Sequence, residues 1–580
     1  MEQAKELVED NTKTNGKLPV LEYDVAEWPP IPIALAVAFQ HVVLCMGAVV
    51  TVTYVVSDVV CISPNDPIRS QIFCSSLFMV GVATITQTWL GVRLPVFQGP
   101  SFTFLPPLLA MKSSGTWTCP LHNSEYNITS NTSTDAVIYV DEGTKYTRLN
   151  QLQGSLILAS LVEVLLGATG AVGILQRIIG PITISVTIFL LGFSLYPVSI
   201  QCSVIYWPIA ILSTLIVLIS GVYLAHVKVK IPGCSRRTDS KHQSPPPAYN
   251  IFNIFAIPLC ISLAWIVCFI LTRIGVFPTD PTEPAYMART DTRTELIEST
   301  PWFLWPYPGQ FGAPDFNLGL FIALIPVTLS SAMESIGDYL ATGKTCDALP
   351  VPVHAMNRGI LIEGLMSVLS AFFGTGHATT SYSIGVSIVT LTKVGSRYAV
   401  LLSGVIALIL AVFVKFGAVM SAMPVPIIGG ISMISIGIVM GLAISTLTTV
   451  DMTSSRNISV VGISIFIPII CSETLNRYPN MVNTGNAELD RVLELIISFP
   501  MILGTIIALL LDNTVKGDKQ SRGLLPIIND VTLNHQGTGF ESPKRTRHYA
   551  SRNHLYDIPY VSKLCNRYKS LNCLPFIQNV

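Results

Sequence analysis

Twelve runs of about twenty predominantly apolar residues recur along the chain, near 31–56, 71–91, 154–175, 181–200, 204–226, 251–275, 318–342, 358–374, 397–416, 423–445, 457–472 and 490–511. Each is about as long as a helix must be to cross the hydrocarbon of a bilayer, so a chain with a dozen of them has few folds open to it. The rest of the composition agrees: 50% of residues are hydrophobic and only 12% charged, with a mean hydropathy of +0.56, which excludes a soluble protein of 580 residues. Thirty-five Lys and Arg balance thirty-five Asp and Glu, so net charge points to no nucleic-acid or acidic partner, and only the placement of charge is informative. The partners expected from composition are therefore the lipid bilayer and a small molecule.

Two further stretches, about 95–111 and 377–393, are broken by Gly, Pro, Ser and Thr; counting them brings the number of membrane segments to fourteen. Loop charges orient the chain. The loop 227–250 carries Lys228, Lys230, Arg236, Arg237 and Lys241, and the tail after 512 adds ten Lys or Arg, so both are expected in the cytoplasm. The loop 113–150 holds sequons at Asn127 and Asn131, which are glycosylated only on the outer side; the sequon at Asn457 abuts an apolar run and reads as a chance match. An even count of fourteen satisfies every mark and puts both termini in the cytoplasm. The division that follows is an N-terminal tail, 1–30, polar and acidic with no cleavable signal; a first set of seven segments, 31–275; an extracellular loop, 276–317; a second set, 318–511; and a cytoplasmic tail, 512–580, read as solvated.

The two broken stretches are third and tenth, which is third again when the chain is cut into halves of seven. That is the pattern of a seven-plus-seven inverted repeat, in which the interrupted segments meet near the midplane and a substrate binds there. In the first, "LPVFQGPSFTFLPPLLAM", Gly99, Pro100, Pro106 and Pro107 oppose a regular helix and "SFTF" alternates as a short strand does. The second, "TGHATTSYSIGVSIVTLTK", is rich in Ser, Thr and β-branched residues. Irregular backbone at membrane depth must pair or line a cavity, so the two are expected to pair with each other or to bind a ligand.

Ser330, Glu334, Asp338 and Thr342 recur every four residues along one face of the eighth helix. A carboxylate at the bilayer centre costs at least about 2.5–3.5 kcal/mol, so the pair needs a cation, a donating substrate or a proton, or else a structural salt bridge to a basic residue such as Arg358. Gln40 and His41 form a second intramembrane polar pair on the first helix, while Glu163 and Glu363 read as structural acids that meet a helix terminus or an Arg. The twelve cysteines show no CxxC or metal-ligand spacing and read as small interior residues; no cofactor is expected. The nearest enzyme motif, "GDYLATGKT", has one residue too many between Gly337 and Gly343 for a phosphate loop, so no enzyme is predicted.

Stretches along most of the chain resemble the nucleobase and ascorbate transporters, and especially their animal sodium-dependent branch, solute carrier family 23: "FQHVVLCMG", "QTWLGVRLPVFQGPSFTFL", "SSAMESIGDYLATG", "PVPVHAMNRGILIEG", "TKVGSR", "PIIGGI", "VDMTSSRNISVVGISIF" and "LLLDNTVKG". The resemblance implies an all-α polytopic fold with a core domain against a gate domain, often dimeric, and substrate held between segments three and ten and the eighth helix. It further implies that Glu334 hydrogen-bonds the ligand, that Ser101 and Phe102 present backbone and a ring, that Asp338 couples sodium, and that Gln40 and His41 support the site. The family signature in segment ten reads Gln, Glu or Pro, then Asn, any residue, Gly, four of any kind, Thr and a basic residue. This chain departs from it, with Ile384, Gly385 and Ser387 at the polar, Asn and Gly positions before Thr392 and Lys393. Backbone amides at Gly385, with Ser381, Ser383 or Ser387, are the substitutes. The resemblance implies a sodium-coupled symporter in the plasma membrane that imports ascorbate or a nucleobase, with proton coupling or a non-transporting relative as the alternatives.

Overall fold

In the computed structural model, residues 21–113, 142–224, 255–280, 283–349, 351–478, 481–485, 497–518 and 520–523 are described, with isolated positions at 117, 119, 227, 229–230, 248–249, 252, 490, 493–494, 555–558 and 575. Asn127, Asn131 and most of both tails lie outside them. The chain runs α1 (Ile31–Val59), α2 (Ile68–Trp89), β1 (Gln98–Pro100), α3 (Leu105–Ser113), α4 (Glu142–Thr169), α5 (Val172–Ile178), α6 (Pro181–Ser194), α7 (Tyr196–Ser203) and α8 (Trp207–Leu218). A two-residue pair, β2 (Val229–Lys230) with β3 (Ala248–Tyr249), precedes α9 (Ala256–Ile274), α10 (Thr294–Ser299), α11 (Leu318–Thr345), α12 (Val353–Phe372) and β4 (Thr379–Ser381). The remainder is α13 (Ser383–Thr392), α14 (Arg397–Val412), α15 (Val414–Ser421), α16 (Val425–Thr446), α17 (Ser455–Arg477) and α18 (Pro500–Thr514).

Eight helices among the described residues are long and apolar enough to cross a bilayer, nine if α14 and α15, bent 84° apart, make one span. Large apolar side chains stand outward from them, among them Ile266, Ile438 and Phe466, at 55%, 54% and 64% exposure. A protein in water buries such a surface, whereas one in lipid presents it. The polar residues behave in the opposite sense, since Gln40, His41, Gln98, Glu163 and Glu363 are all at most 2% exposed.

Both broken segments are non-helical where their sequences oppose helix, and they meet. β1 pairs antiparallel with β4, with Gln98 opposite Ser381, Gly99 opposite Thr380 and Pro100 opposite Thr379. The strand begins three residues before "SFTF", which instead closes into a 3-10 turn over Phe102–Phe104. Pro106 and Pro107 fall in the first turn of α3, where a missing amide costs nothing. Pro100 lacks an N–H, and single bonds extend the pairing at its two ends, from Ser101 N to Ala378 O (2.9 Å) beyond Pro100 and from Tyr382 N to Phe97 O (2.9 Å) beyond Gln98.

Two expectations are corrected. Cys61 and Cys119 form a disulfide with Cα atoms 5.6 Å apart, tying the end of α1 to the 113–150 loop; Cys45, Cys74, Cys202, Cys260, Cys268 and Cys346 are the small interior residues expected. Sequence spacing does not show that pair because the partners are 58 residues apart and meet only through the fold. The C-terminal tail also holds a docked piece. Leu555 and Tyr556 are 8% and 4% exposed, the Tyr556 hydroxyl donates to Leu349 O at 2.6 Å, and Arg358 Nη2 donates to Tyr556 O at 2.6 Å.

Candidate functional site

The crossing of β1 and β4 is the centre around which the buried polar groups gather. Only glycine fits at residue 99, because a Cβ there would lie 1.9 Å from Cε2 of Tyr382. The Tyr382 ring therefore lies on the backbone of β1, and its hydroxyl donates to Pro100 O at 3.3 Å. On the far side, α1 brings His41 beside Phe97, with ring centroids 5.6 Å apart.

His41 Nδ1 lies 2.8 Å from Val37 O. A carbonyl only accepts, so the assignment that satisfies this bond puts the proton on Nδ1 and makes Nε2 of the neutral ring an acceptor. Among the described residues that Nε2 is buried without a partner, as are Nε2 of Gln40 and Oε1 of Gln98. Native interiors rarely leave such atoms unsatisfied. Gln98 keeps its other end occupied, with Nε2 donating to Ser381 Oγ at 3.0 Å across the strand pair.

Helix α11 begins where Asn317 caps it, accepting from Leu320 N at 3.0 Å, and it shows two polar stripes rather than the one expected. The first is Ser330, Glu334, Asp338 and Thr342. Ser330, Asp338 and Thr342 are buried, at 4%, 6% and 1% exposure, and Glu334 is half-buried. Glu334 makes no hydrogen bond or ion pair among the described residues, and it is near enough to Tyr382 and Glu363 for their charges to interact. Arg358 does not neutralise the stripe; its Nε donates to Gly91 O at 2.7 Å and its Nη2 to the tail.

The second stripe, Ser331, Ser335 and Tyr339, is wholly buried. It explains Glu363, whose reading as an acid paired with an Arg or a helix end is overturned. Glu363, from α12, accepts hydrogen bonds from the hydroxyls of Ser335, Tyr339 (2.7 Å) and Ser381 (3.2 Å), and Gln87 of α2 donates in turn to the Tyr339 hydroxyl. Ser381 N donates to Ser335 Oγ at 3.3 Å, so the strand crossing is fastened to α11 and α12 through this carboxylate. Among the described residues Glu163 of α4 also pairs with no Arg: it is 0% exposed, both its oxygens lack a partner there, and it lies beside Glu363.

Ser101 is buried, its hydroxyl hydrogen-bonded to that of Thr103, while Phe102 is half-buried. Ser383 opens α13 and Ser387 lies one turn on; Gly385 N donates to Tyr382 O at 2.9 Å. Tyr339, Gln87 and Tyr382 were missed in the sequence, and Glu363 was read as a structural acid with other partners. The four-residue recurrence of Ser331, Ser335 and Tyr339 was the signal for Tyr339; Gln87 and Tyr382 carried none. Among the described residues no group of three or more His, Cys, Asp or Glu side chains is placed to hold a metal ion.

Apolar helices facing lipid around an enclosed polar centre, built on two interrupted segments, define a multi-pass membrane carrier. The Permease family model matches residues 33–476, and the chain belongs to that family, the nucleobase and ascorbate transporters. It is similar to solute carrier family 23 member 2 of Mus musculus, 32% identical over 95% of this chain and 82% of that one. It is also similar to solute carrier family 23 member 1 of Rattus norvegicus (33% identical; 87% and 82% covered) and to nucleobase-ascorbate transporter 1 of Arabidopsis thaliana (29% identical; 87% and 91% covered). These relatives are transporters rather than enzymes. A solved structure of the murine solute carrier 26 family member A9 anion transporter is 11% identical with a TM-score of 0.43, covering 88% of this chain and 74% of that one, and is too distant to bear on the site.

Proposed function

We propose that the protein is a sodium-coupled symporter that imports a nucleobase or ascorbate across the plasma membrane. One observation carries this reading: beside the β1–β4 crossing, Glu334 has no partner among the described residues, and the orphaned atoms of Gln40, His41 and Gln98 lie around the same strands. A ring bearing N–H or O–H groups satisfies the carboxylate and the acceptor nitrogen of His41, and its carbonyl satisfies the Gln40 amide. Asp338, one turn from Glu334 and buried, is the residue assigned to the sodium ion.

Alternating access of a core domain against a gate domain would carry the loaded site across, in a homodimer with both termini in the cytoplasm. One net charge moving inward through 100 mV is worth about 2.3 kcal/mol, roughly a fifty-fold accumulation. One sodium supplies that charge for a neutral nucleobase, whereas anionic ascorbate requires two.

Uptake of radiolabelled ascorbate, uracil and xanthine into cells expressing the protein, with sodium or with choline in its place, tests the proposal. Sodium-dependent uptake of one ligand is expected. Uptake that ignores sodium and rises in acid would instead support proton coupling. No uptake despite surface labelling would favour a relative that binds without transporting, the reading to which Ile384 and Gly385 lend support.

Segment ten can be tested directly. A Cβ at Gly385 would sit 3.6 Å from Phe97 Cβ, an ordinary contact, so the double variant Ile384→Gln, Gly385→Asn is expected to fold and to change the order of substrate preference. An unchanged order would mean that this segment does not read the ligand.

A further inference from the structure

Away from the strand crossing, two arginines are buried and form no ion pair among the described residues. Arg69, in the first turn of α2, is 7% exposed, and Arg293, before α10, is 3% exposed. Arg69 spends its hydrogen bonds on carbonyls, and Arg293 on two carbonyls and the Met287 sulfur. Arg69 donates from Nε to Ser63 O (2.9 Å) and Ile62 O (3.2 Å), and from Nη2 to Ile62 O (2.6 Å). Arg293 Nη1 donates to Ser421 O (2.8 Å) and Met423 O (3.2 Å), while its Nε is buried without a partner.

The carboxylates whose charge reaches Arg69 are Asp58 and Asp66, and each is already held by a lysine. Lys112 lies 2.5 Å from Asp58, which also accepts from Gln201 at 3.1 Å, and Lys145 lies 2.6 Å from Asp66. The arginines are near enough to repel each other: burial, and then the charge of Arg69, bring Arg293 down to about 10. Tyr54 places its ring 5.8 Å from the Arg69 guanidinium, an attraction far weaker than an ion pair.

Arg69 also lines a cavity of about 10 Å³, bounded by Thr53, Tyr54 and Ser57 of α1, Ser421 of α15 and Ile428 of α16. Ser421 joins the two arginines, because it bounds the cavity and gives its carbonyl to Arg293. The Ser57 residue is 1% exposed and its hydroxyl makes no hydrogen bond among the described residues. A cavity of that size holds a single water or monatomic ion and no organic acid.

Like charges taken out of water need compensation, and the nearby carboxylates, Asp58 and Asp66, are shared with lysines rather than bonded to either arginine. We propose that the cavity beside Arg69 and Arg293 is a binding site for one small monovalent inorganic anion of chloride's size. It lies among α1, α2 and the α15–α16 turn, at the end of α1 that carries the disulfide to the 113–150 loop. That loop is the one whose sequons place it outside, so the ion would enter from the outer solution.

The test is thermal unfolding of the purified full-length protein in detergent, with sodium gluconate exchanged stepwise for sodium chloride or sodium bromide at constant ionic strength. It does not depend on transport. The proposal expects a saturable rise in Tm with chloride and with bromide. Arg69→Gln or Arg293→Gln, each of which keeps a donor for the carbonyls, should raise the half-saturating chloride concentration at least tenfold. Ser57→Ala, a milder change that serves if an arginine variant does not fold, should raise it severalfold. Superimposable melting in chloride and gluconate would overturn the site, as would a chloride midpoint unmoved in the arginine variants or in Ser57→Ala.

Discussion

Glu334 and Glu363 stand on neighbouring helices, α11 and α12, and flank the same strand crossing, yet their surroundings differ. Glu363 accepts three hydroxyl hydrogen bonds and is 1% exposed; Glu334 accepts none and is half-buried. A carboxylate saturated by protein donors is spent on holding the structure together. One left without donors at the edge of the same centre has its hydrogen-bonding capacity still to use, and the fold tolerates it there only if a ligand or ion completes it.

The comparison breaks most sharply at Glu363. Glu363→Ala deprives three buried hydroxyls of their acceptor, at about 1 kcal/mol or more each, so it should destabilise the protein by about 3 kcal/mol or more. Thermal unfolding of the purified protein measures this, and an unchanged Tm would end the anchoring role. Glu334→Gln should leave unfolding nearly untouched while uptake falls about ten- to hundredfold, the worth of one charged hydrogen bond to substrate. Surface labelling beside uptake separates the two effects; wild-type transport in that variant would remove Glu334 from the site.

A narrower change sharpens the contrast. Tyr339→Phe removes one donor to Glu363 and the acceptor of Gln87, and should cost about 1–2 kcal/mol in unfolding with a smaller change in substrate selectivity. The smallest effect belongs to a carboxylate outside the membrane segments. Its hydrogen bond from Arg289 holds Asp291 below the usual carboxylate range, so its stabilisation is complete at neutral pH and is lost as pH falls through that lowered value. The Asp291 side chain is 53% exposed, so Asp291→Asn should cost well under 1 kcal/mol at pH 7, and its melting curve should converge with wild type in acid.

Much of this contrast was legible in the residues. The polar stripe through Glu334 and Asp338 stands out because charge is rare in apolar runs, and Gly99 and Pro100 mark where helix fails. What was not legible is which carboxylate has partners. Glu363 looked like a structural acid that would meet an Arg, and its actual donors come from α11 and β4, with Gln87 of α2 behind them. The strand itself began at Gln98 rather than at Ser101, because pairing with Thr379–Ser381 sets its limits and alternation over four residues does not.

By itself the sequence determined that this is a multi-pass membrane protein, where its interrupted segments fall, and to which family its motifs belong. These follow from local chemistry: run length against bilayer thickness, and proline and glycine against helix. Only the tertiary structure decided that Tyr382 lies on Gly99, that Cys61 meets Cys119, and that Arg69 and Arg293 share buried space with no ion pair among the described residues. Those outcomes depend on which residues, up to about 280 positions apart in the chain, are brought within hydrogen-bonding reach, as Tyr382 and Pro100 are. No periodicity encodes that distance.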